Sequence, residues 1–169
     1  MHPEARAFVA AHAPRPGLDE LGSVLEIGGQ VMNGTIRDLF DGADYLSLDI
    51  VDGPGVDIVA DAATWRPLDP DRRFDVVVCC EVLEHTPDWR AIIQTAHDVL
   101  APRGRLILTC AGPGRPPHSG RGPWALEDGE WYRNIAPEEL EGALRLTGFI
   151  SASVTVAAQD LHALARRSS

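Results

Sequence analysis

Short apolar runs recur along the chain, separated by polar stretches dense in glycine and proline. The strongest run, FDVVVCC at Phe74–Cys80, is almost unbroken, which suits a strand buried on both faces of a parallel sheet. Similar runs predict strands at Ser23–Gly29, Tyr45–Ile50, Val56–Asp61 and Arg105–Cys110. Other segments repeat at three and four. Ala5, Phe8, Val9 and His12 predict a short helix over Glu4–His12, broken by Pro14, Pro16 and Gly17. Ile36, Leu39 and Phe40 predict about two helical turns after Asn33-Gly34-Thr35, stopped by Gly42. The clearest helix carries Trp89, Ile92, Ile93, Ala96, Val99 and Leu100. Thr86 and Pro87 are its expected cap and first residue, and Pro102 and Gly104 its stop. A further helix is expected over Pro137–Leu146, stopped by Gly148. Phe149–Val156 and Leu161–Ala165 read as two strands joined near Gln159-Asp160, a turn short enough to make them antiparallel.

Strands alternating with helices predict an α/β fold: a doubly wound, mainly parallel sheet with helices on both faces. At 169 residues the chain is expected to form one domain, 1–169. Residues 1–16 are its N-terminal helix and linker. The Gly/Pro-rich stretch from Ala111 to about residue 131 is too long for an ordinary connection. It is either a functional loop, acting as substrate loop or lid, or a mobile excursion.

Composition narrows the chemistry. Apolar residues make up 44% and charged residues 24%, as in an ordinary globular protein with its own core. The net charge is −10, and all 15 basic residues are arginine. Without lysine there is no Schiff-base residue and no Walker A or kinase-type phosphate lysine. That absence also fits a GC-rich coding sequence. The acidic balance argues against a nucleic acid held by phosphate neutralisation. No signal pattern and no run of about 18 apolar residues is visible, so a cytoplasmic chain with no membrane partner is expected. Cys79, Cys80 and Cys110 lack metal-ligand spacing and read as buried thiols in a reducing compartment. Asp49, Asp52 and Asp57 carry no recognised ligand spacing either, so no metal is expected. His2, His12, His97 and His162 read as structural or exposed.

In an open α/β sheet, ligands sit beyond the carboxyl ends of the strands. After the first strand stand Glu26, Gly28, Gly29, Asn33 and Gly34, where glycines let a ligand approach bare backbone. Asp49 follows the second strand, at roughly the twenty-residue spacing expected of a ribose-binding carboxylate. Asp61-Ala62 follow the third, where a carboxylate can accept from an exocyclic amine. Cys80 and Glu81, then Val82-Leu83-Glu84-His85, follow the fourth.

This order resembles the class I S-adenosylmethionine-dependent methyltransferases of the small, type 11-like kind. The matching stretches are VLEIGG, YLSLDI, DIVADAATW, FDVVVCCEVLEHTPDW and VLAPRGRLILTC, over roughly residues 23–110. The resemblance implies a Rossmann-like seven-stranded sheet with an antiparallel last strand. It implies S-adenosyl-L-methionine as cofactor and S-adenosyl-L-homocysteine as product. Glu26 and Gly28 then start the glycine motif under the methionine portion. Asp49 holds the ribose hydroxyls beside Ile50 at the adenine, and Asp61 and Ala62 read the adenine edge. Cys80 and Glu81 approach the methionine moiety, and His85 lies near the transferable methyl group. One departure is visible: the usual acidic-x-Gly-x-Gly-x-Gly turn reads Glu26-Ile-Gly28-Gly29-Gln-Val-Met-Asn33-Gly34, so Asn33-Gly34 would supply the later turn.

Methyl transfer from a sulfonium needs alignment and exclusion of water, with a base only where the acceptor loses a proton. His85 is the candidate base; alternatively it packs or caps the helix entrance. In the long loop, Arg115 and Arg121 could hold an anionic small-molecule acceptor. His118, Trp124, Trp131 and Tyr132 could contact or stack on it. Two other classes stay open. A non-catalytic module retaining the fold would explain the altered glycine turn. A nicotinamide-dependent oxidoreductase would share the ribose carboxylate, but G-x-G-x-x-G and the Tyr-x-x-x-Lys pair are both missing. The oligomeric state is left open.

Overall fold

The computed structural model describes residues 2–14, 22–122 and 125–169. Pro16, Gly17 and Trp124 lie outside the described residues. In chain order the elements are α1 (Pro3–His12), β1 (Ser23–Ile27), a 3₁₀ turn (Arg37–Phe40), β2 (Asp44–Asp49), β3 (Ile58–Val59) and β4 (Phe74–Cys80). A second 3₁₀ turn (Leu83–His85), α2 (Trp89–Val99), β5 (Leu100–Ala111), α3 (Pro137–Thr147), β6 (Ile150–Ala157) and β7 (Asp160–Arg166) follow.

The seven strands form one sheet in the order β3-β2-β1-β4-β5-β7-β6. The first five run parallel, while β7 inserts antiparallel between β5 and β6. The strand order reverses beside β1 and β4, where a crevice opens above the strand ends. β4 sits mid-sheet and buries every residue but Asp75, which accounts for its unbroken apolar run.

Each face of the sheet has its own core. On one, Trp89, Ile92, Ile93, Ala96 and Val99 of α2 join Leu140 and Leu144 of α3 over Leu25, Val77, Leu106 and Leu161. On the other, Val9 of α1 packs with Ile36 and Phe40 over Val24, Val76, Val78 and Ile107. The alternating inward positions of each strand thus feed two different layers. α3 begins at Pro137, and the Glu139 carboxylate accepts from the Ala136 N–H at 3.3 Å. It ends at Gly148, whose φ of 104° supplies the left-handed cap.

Four expected elements differ. The helix after Asn33-Gly34 is a single 3₁₀ turn. Gly34 and Gly42 both have positive φ and confine it, and buried Ile36 and Phe40, with partly buried Leu39, anchor it. The third strand shrinks to Ile58–Val59, at the sheet edge. Thr86 does not cap α2. Its Oγ1 instead accepts from the Asp88 N–H at 3.1 Å, and the helix starts one residue later at Trp89. Strand β5 begins directly at Leu100, where α2 ends, and runs through Pro102 and Gly104.

Candidate active site

A cleft of about 810 Å³ lies over the carboxyl ends of β1, β2 and β4. Its floor is the turn after β1. Gly28 has φ of 81°, and a Cβ there would meet Val82 Cγ2 at 2.2 Å. A Cβ on Gly29 would meet Ser47 Oγ at 1.8 Å. Neither position tolerates a side chain without displacing a neighbour, so the floor stays bare backbone. Asp49, at the end of β2, accepts from the Gln30 N–H and the Val51 N–H, each at 3.0 Å. These bonds tie the glycine turn to β2. Asp61 Oδ1 accepts from the Ala63 N–H at 2.9 Å and closes the loop after β3.

Glu26 points under this floor. It is buried and accepts from the Tyr45 hydroxyl at 2.7 Å. Burial pushes its carboxyl up to about 7, with the Tyr45 hydrogen bond opposing the shift. Burial likewise raises Cys80 to about 12 and pushes Cys79 and Cys110 well above the usual thiol range, so all three are inert, free thiols.

The loop after β5 folds back over the other end of the cleft. The Ile135 N–H donates to Ala111 O at 3.0 Å, and the Arg133 N–H to Glu84 O at 2.9 Å. Gly120, Arg121, Gly129, Glu130 and Trp131 of this loop line the cleft. Ser119 Oγ donates to Glu130 Oε1 at 2.8 Å and holds the two arms together.

Glu26, Gly28, Gly29, Gly34, Asp49, Ile50, Asp61, Ala62, Cys80, Glu81, His85 and Trp131 all line the one cleft. Asn33 does not; it is exposed in the connection before the 3₁₀ turn. Arg115 is also outside the lining. It pairs with Asp160, lies 3.9 Å from Glu81 Oε2, and touches His2 Nε2. Its guanidinium is thus engaged by buried carboxylates of the protein rather than presented in the cleft lining. Its partner Asp160 starts β7, a pairing that only the sheet order creates. His118 and Tyr132 stand one layer behind the lining. The His85, His118 and Tyr132 rings pack edge to face, with centroids 5.0 to 5.5 Å apart. Burial, then His118, pushes His85 down to about 4.

Two members of this region escaped sequence reasoning. Glu84 is fully buried; its Oε1 accepts from the Ala111 N–H at 3.1 Å. An acid between the apolar Leu83 and the ring-bearing His85 was its signal. His2 is exposed, as expected, and its Nε2 also stands 3.9 Å from Glu81 Oε2. Glu81 itself has φ of 57°, a strained conformation for a side-chain-bearing residue. It turns its carboxylate away from the glycine floor, to accept from Thr109 Oγ1 at 2.9 Å. Among the described residues, no helix is long and apolar enough to cross a membrane.

A reversed-order sheet, a bare glycine floor and a carboxylate ending the second strand define a nucleoside-binding α/β enzyme class. Residues 1–153 match the methyltransferase domain family, and the chain belongs to that family of S-adenosylmethionine-dependent methyltransferases. Solved structures share the fold. The Burkholderia thailandensis 1,6-didemethyltoxoflavin-N1-methyltransferase, crystallised with its substrate and S-adenosylhomocysteine, aligns at a TM-score of 0.69 and 20% identity, over 99% of this chain and 78% of that one. An amino pentose methyltransferase from Micromonospora echinaspora aligns at 0.68 and 17% identity, over 96% and 90%. Among curated proteins, the ubiquinone biosynthesis O-methyltransferase of Xanthomonas euvesicatoria is 43% identical over 54 residues, 32% of this chain and 21% of that protein. The same enzyme from Pseudomonas paraeruginosa is 43% identical over 37 residues, 22% and 16%. The match thus spans about a fifth or less of these relatives' length.

Proposed function

We propose that this chain transfers a methyl group from S-adenosyl-L-methionine to a small-molecule acceptor. The carrying observation is that the glycine floor, Asp49 and the Asp61-Ala62 pair line the same cleft as His85 and the returning loop. The cofactor fits the floor, since Gly28 and Gly29 offer it bare backbone, and a side chain at either would collide with Val82 or Ser47 and displace that floor. When bound, it supplies a methyl group on a sulfonium sulfur. Asp49 would hold the ribose hydroxyls and Asp61 with Ala62 the adenine edge, with Ile50 alongside. Glu26, Cys80 and Glu81 border the methionine portion.

The acceptor belongs at the other end. Trp131 and Arg121 from the loop border it, and His85 presents a ring nitrogen there for a hydrogen bond or a proton. His118 and Tyr132 position His85 by ring packing. Gly120, Arg121, Gly129, Glu130 and Trp131 of the returning loop border this end, which limits water and aligns the acceptor. The acidic charge of −10 favours a compact acceptor over a nucleic acid. Unpaired buried thiols fit a reducing, cytoplasmic setting.

Calorimetry with S-adenosylhomocysteine and with NAD tests the reading. Binding of the first alone supports it; binding of neither favours an interaction module. Asp49→Ala is expected to lower affinity for S-adenosylhomocysteine at least tenfold, and unchanged affinity refutes the ribose contact.

A further inference from the structure

Behind the acceptor end of the cleft, three side chains from separate segments converge. Glu84 and His85 come from the 3₁₀ turn after β4, and His118 comes from the returning loop. One ligand atom from each lies within 4.8 Å of the others. The donors are prepared differently. Glu84 has one oxygen on the Ala111 N–H, and its Oε2 is fully buried with no hydrogen-bond partner among the described residues. His118 Nδ1 lies 3.1 Å from Pro116 O; with Nδ1 donating, Nε2 keeps its lone pair. His85 also has a buried nitrogen, Nδ1, without a partner among the described residues.

Charge is unbalanced in the same place. Glu81, Glu84 and Asp160 have side chains 12%, 0% and 10% exposed. The Arg115 guanidinium is the cation paired with them, and it lies on Asp160 and Glu81 rather than on Glu84. A buried carboxylate oxygen with no partner is costly unless it stays protonated or meets a cation.

We infer that Glu84, His85 and His118 bind a divalent transition-metal ion at the acceptor end of the cleft. Two imidazoles and one carboxylate suit zinc, cobalt, nickel or manganese better than calcium or magnesium. Three protein ligands leave coordination open, as at catalytic rather than structural sites. His85 also lines the cleft, so the ion borders the acceptor space. It would select an acceptor with an oxygen donor, such as a hydroxyl; this last consequence rests on the methyltransferase reading. The inference departs from the sequence expectation of no metal, because His118 is 33 residues from His85 and only the loop's return joins them.

The test uses the full chain without a histidine tag, stripped with EDTA and titrated with cobalt(II). Visible absorption and elemental analysis are expected to give one ion per chain. His118→Phe and Glu84→Gln should each weaken cobalt binding at least tenfold. Circular dichroism checks folding, and His118→Phe, in a partly exposed loop position, carries the test if Glu84→Gln does not fold. No stoichiometric binding, or binding unchanged by His118→Phe, overturns the site. S-adenosylhomocysteine calorimetry on the stripped protein separates the two readings. Cofactor binding without cobalt binding overturns the metal site alone. Cobalt binding without cofactor binding upholds the metal site and overturns the cofactor reading.

Discussion

Glu26 gives the sharpest test of how the cleft floor is held. Its carboxyl rises from 4.5 to about 7, mainly through burial. At about 1.4 kcal/mol per pKa unit, this corresponds to about 3 kcal/mol. The sign follows from proton counts. Between pH 4.5 and 7 the folded chain holds a proton on Glu26 that the unfolded chain has lost, so stability falls as pH rises through this window. Above pH 7 the whole penalty is present. Glu26→Gln keeps the shape, and its amide oxygen can still accept from Tyr45, but it carries no charge. Urea unfolding followed by tryptophan fluorescence, at pH 5 and at pH 8, isolates the effect, because other titrating groups cancel in the difference. The variant should nearly match the natural chain at pH 5 and exceed it by about 3 kcal/mol at pH 8, or roughly 6–12 °C in Tm. A difference that does not change with pH would refute the argument that burial raises this carboxyl.

Further outcomes are expected elsewhere. Gly28→Ala meets both a φ of 81° and Val82 Cγ2 at 2.2 Å, so it should cost about 1–2 kcal/mol of stability and lower S-adenosylhomocysteine affinity at least tenfold; calorimetry reads the second effect, and equal affinity counts against the floor. Gly148→Ala strains only the end of α3 and should lower stability by about 1 kcal/mol in urea, with cofactor affinity unchanged. Arg115→Met leaves Asp160 and Glu81 without their cation and should lower stability by about 3–5 kcal/mol. If Arg115 served the acceptor instead, stability would hold and only KM would rise.

Local patterns carried far into this fold. The apolar period of Phe74–Cys80 and the glycine-stopped helix ending at Gly148 are short-range features, readable because backbone sterics and burial act residue by residue. The strand-end positions were also legible. Gly28, Asp49, Asp61 and Cys80 each follow one of four successive apolar runs, although the sheet sets those strands in the order β3-β2-β1-β4 and only the fold brings their ends around one cleft. Lengths of marginal elements were less legible. Two turns of helix were expected after Asn33-Gly34, but positive-φ glycines at both ends and only two buried anchors leave one 3₁₀ turn.

The acceptor side depended on the tertiary structure. Arg115 offers the same guanidinium whether it meets a ligand or a carboxylate. The insertion of β7 between β5 and β6 brings Asp160 beside it and commits it to the protein. His118 gains its partners only when the long loop returns to Ala111 and Glu84. Glu84 reads as an ordinary acid until burial removes its water. Sequence by itself determined which segments form strands and which glycines and carboxylates follow them, because these follow from local periodicity and spacing. Which charges are compensated and which buried donors converge was decided by contacts between distant segments, for which desolvation and Coulomb energy depend on proximity alone.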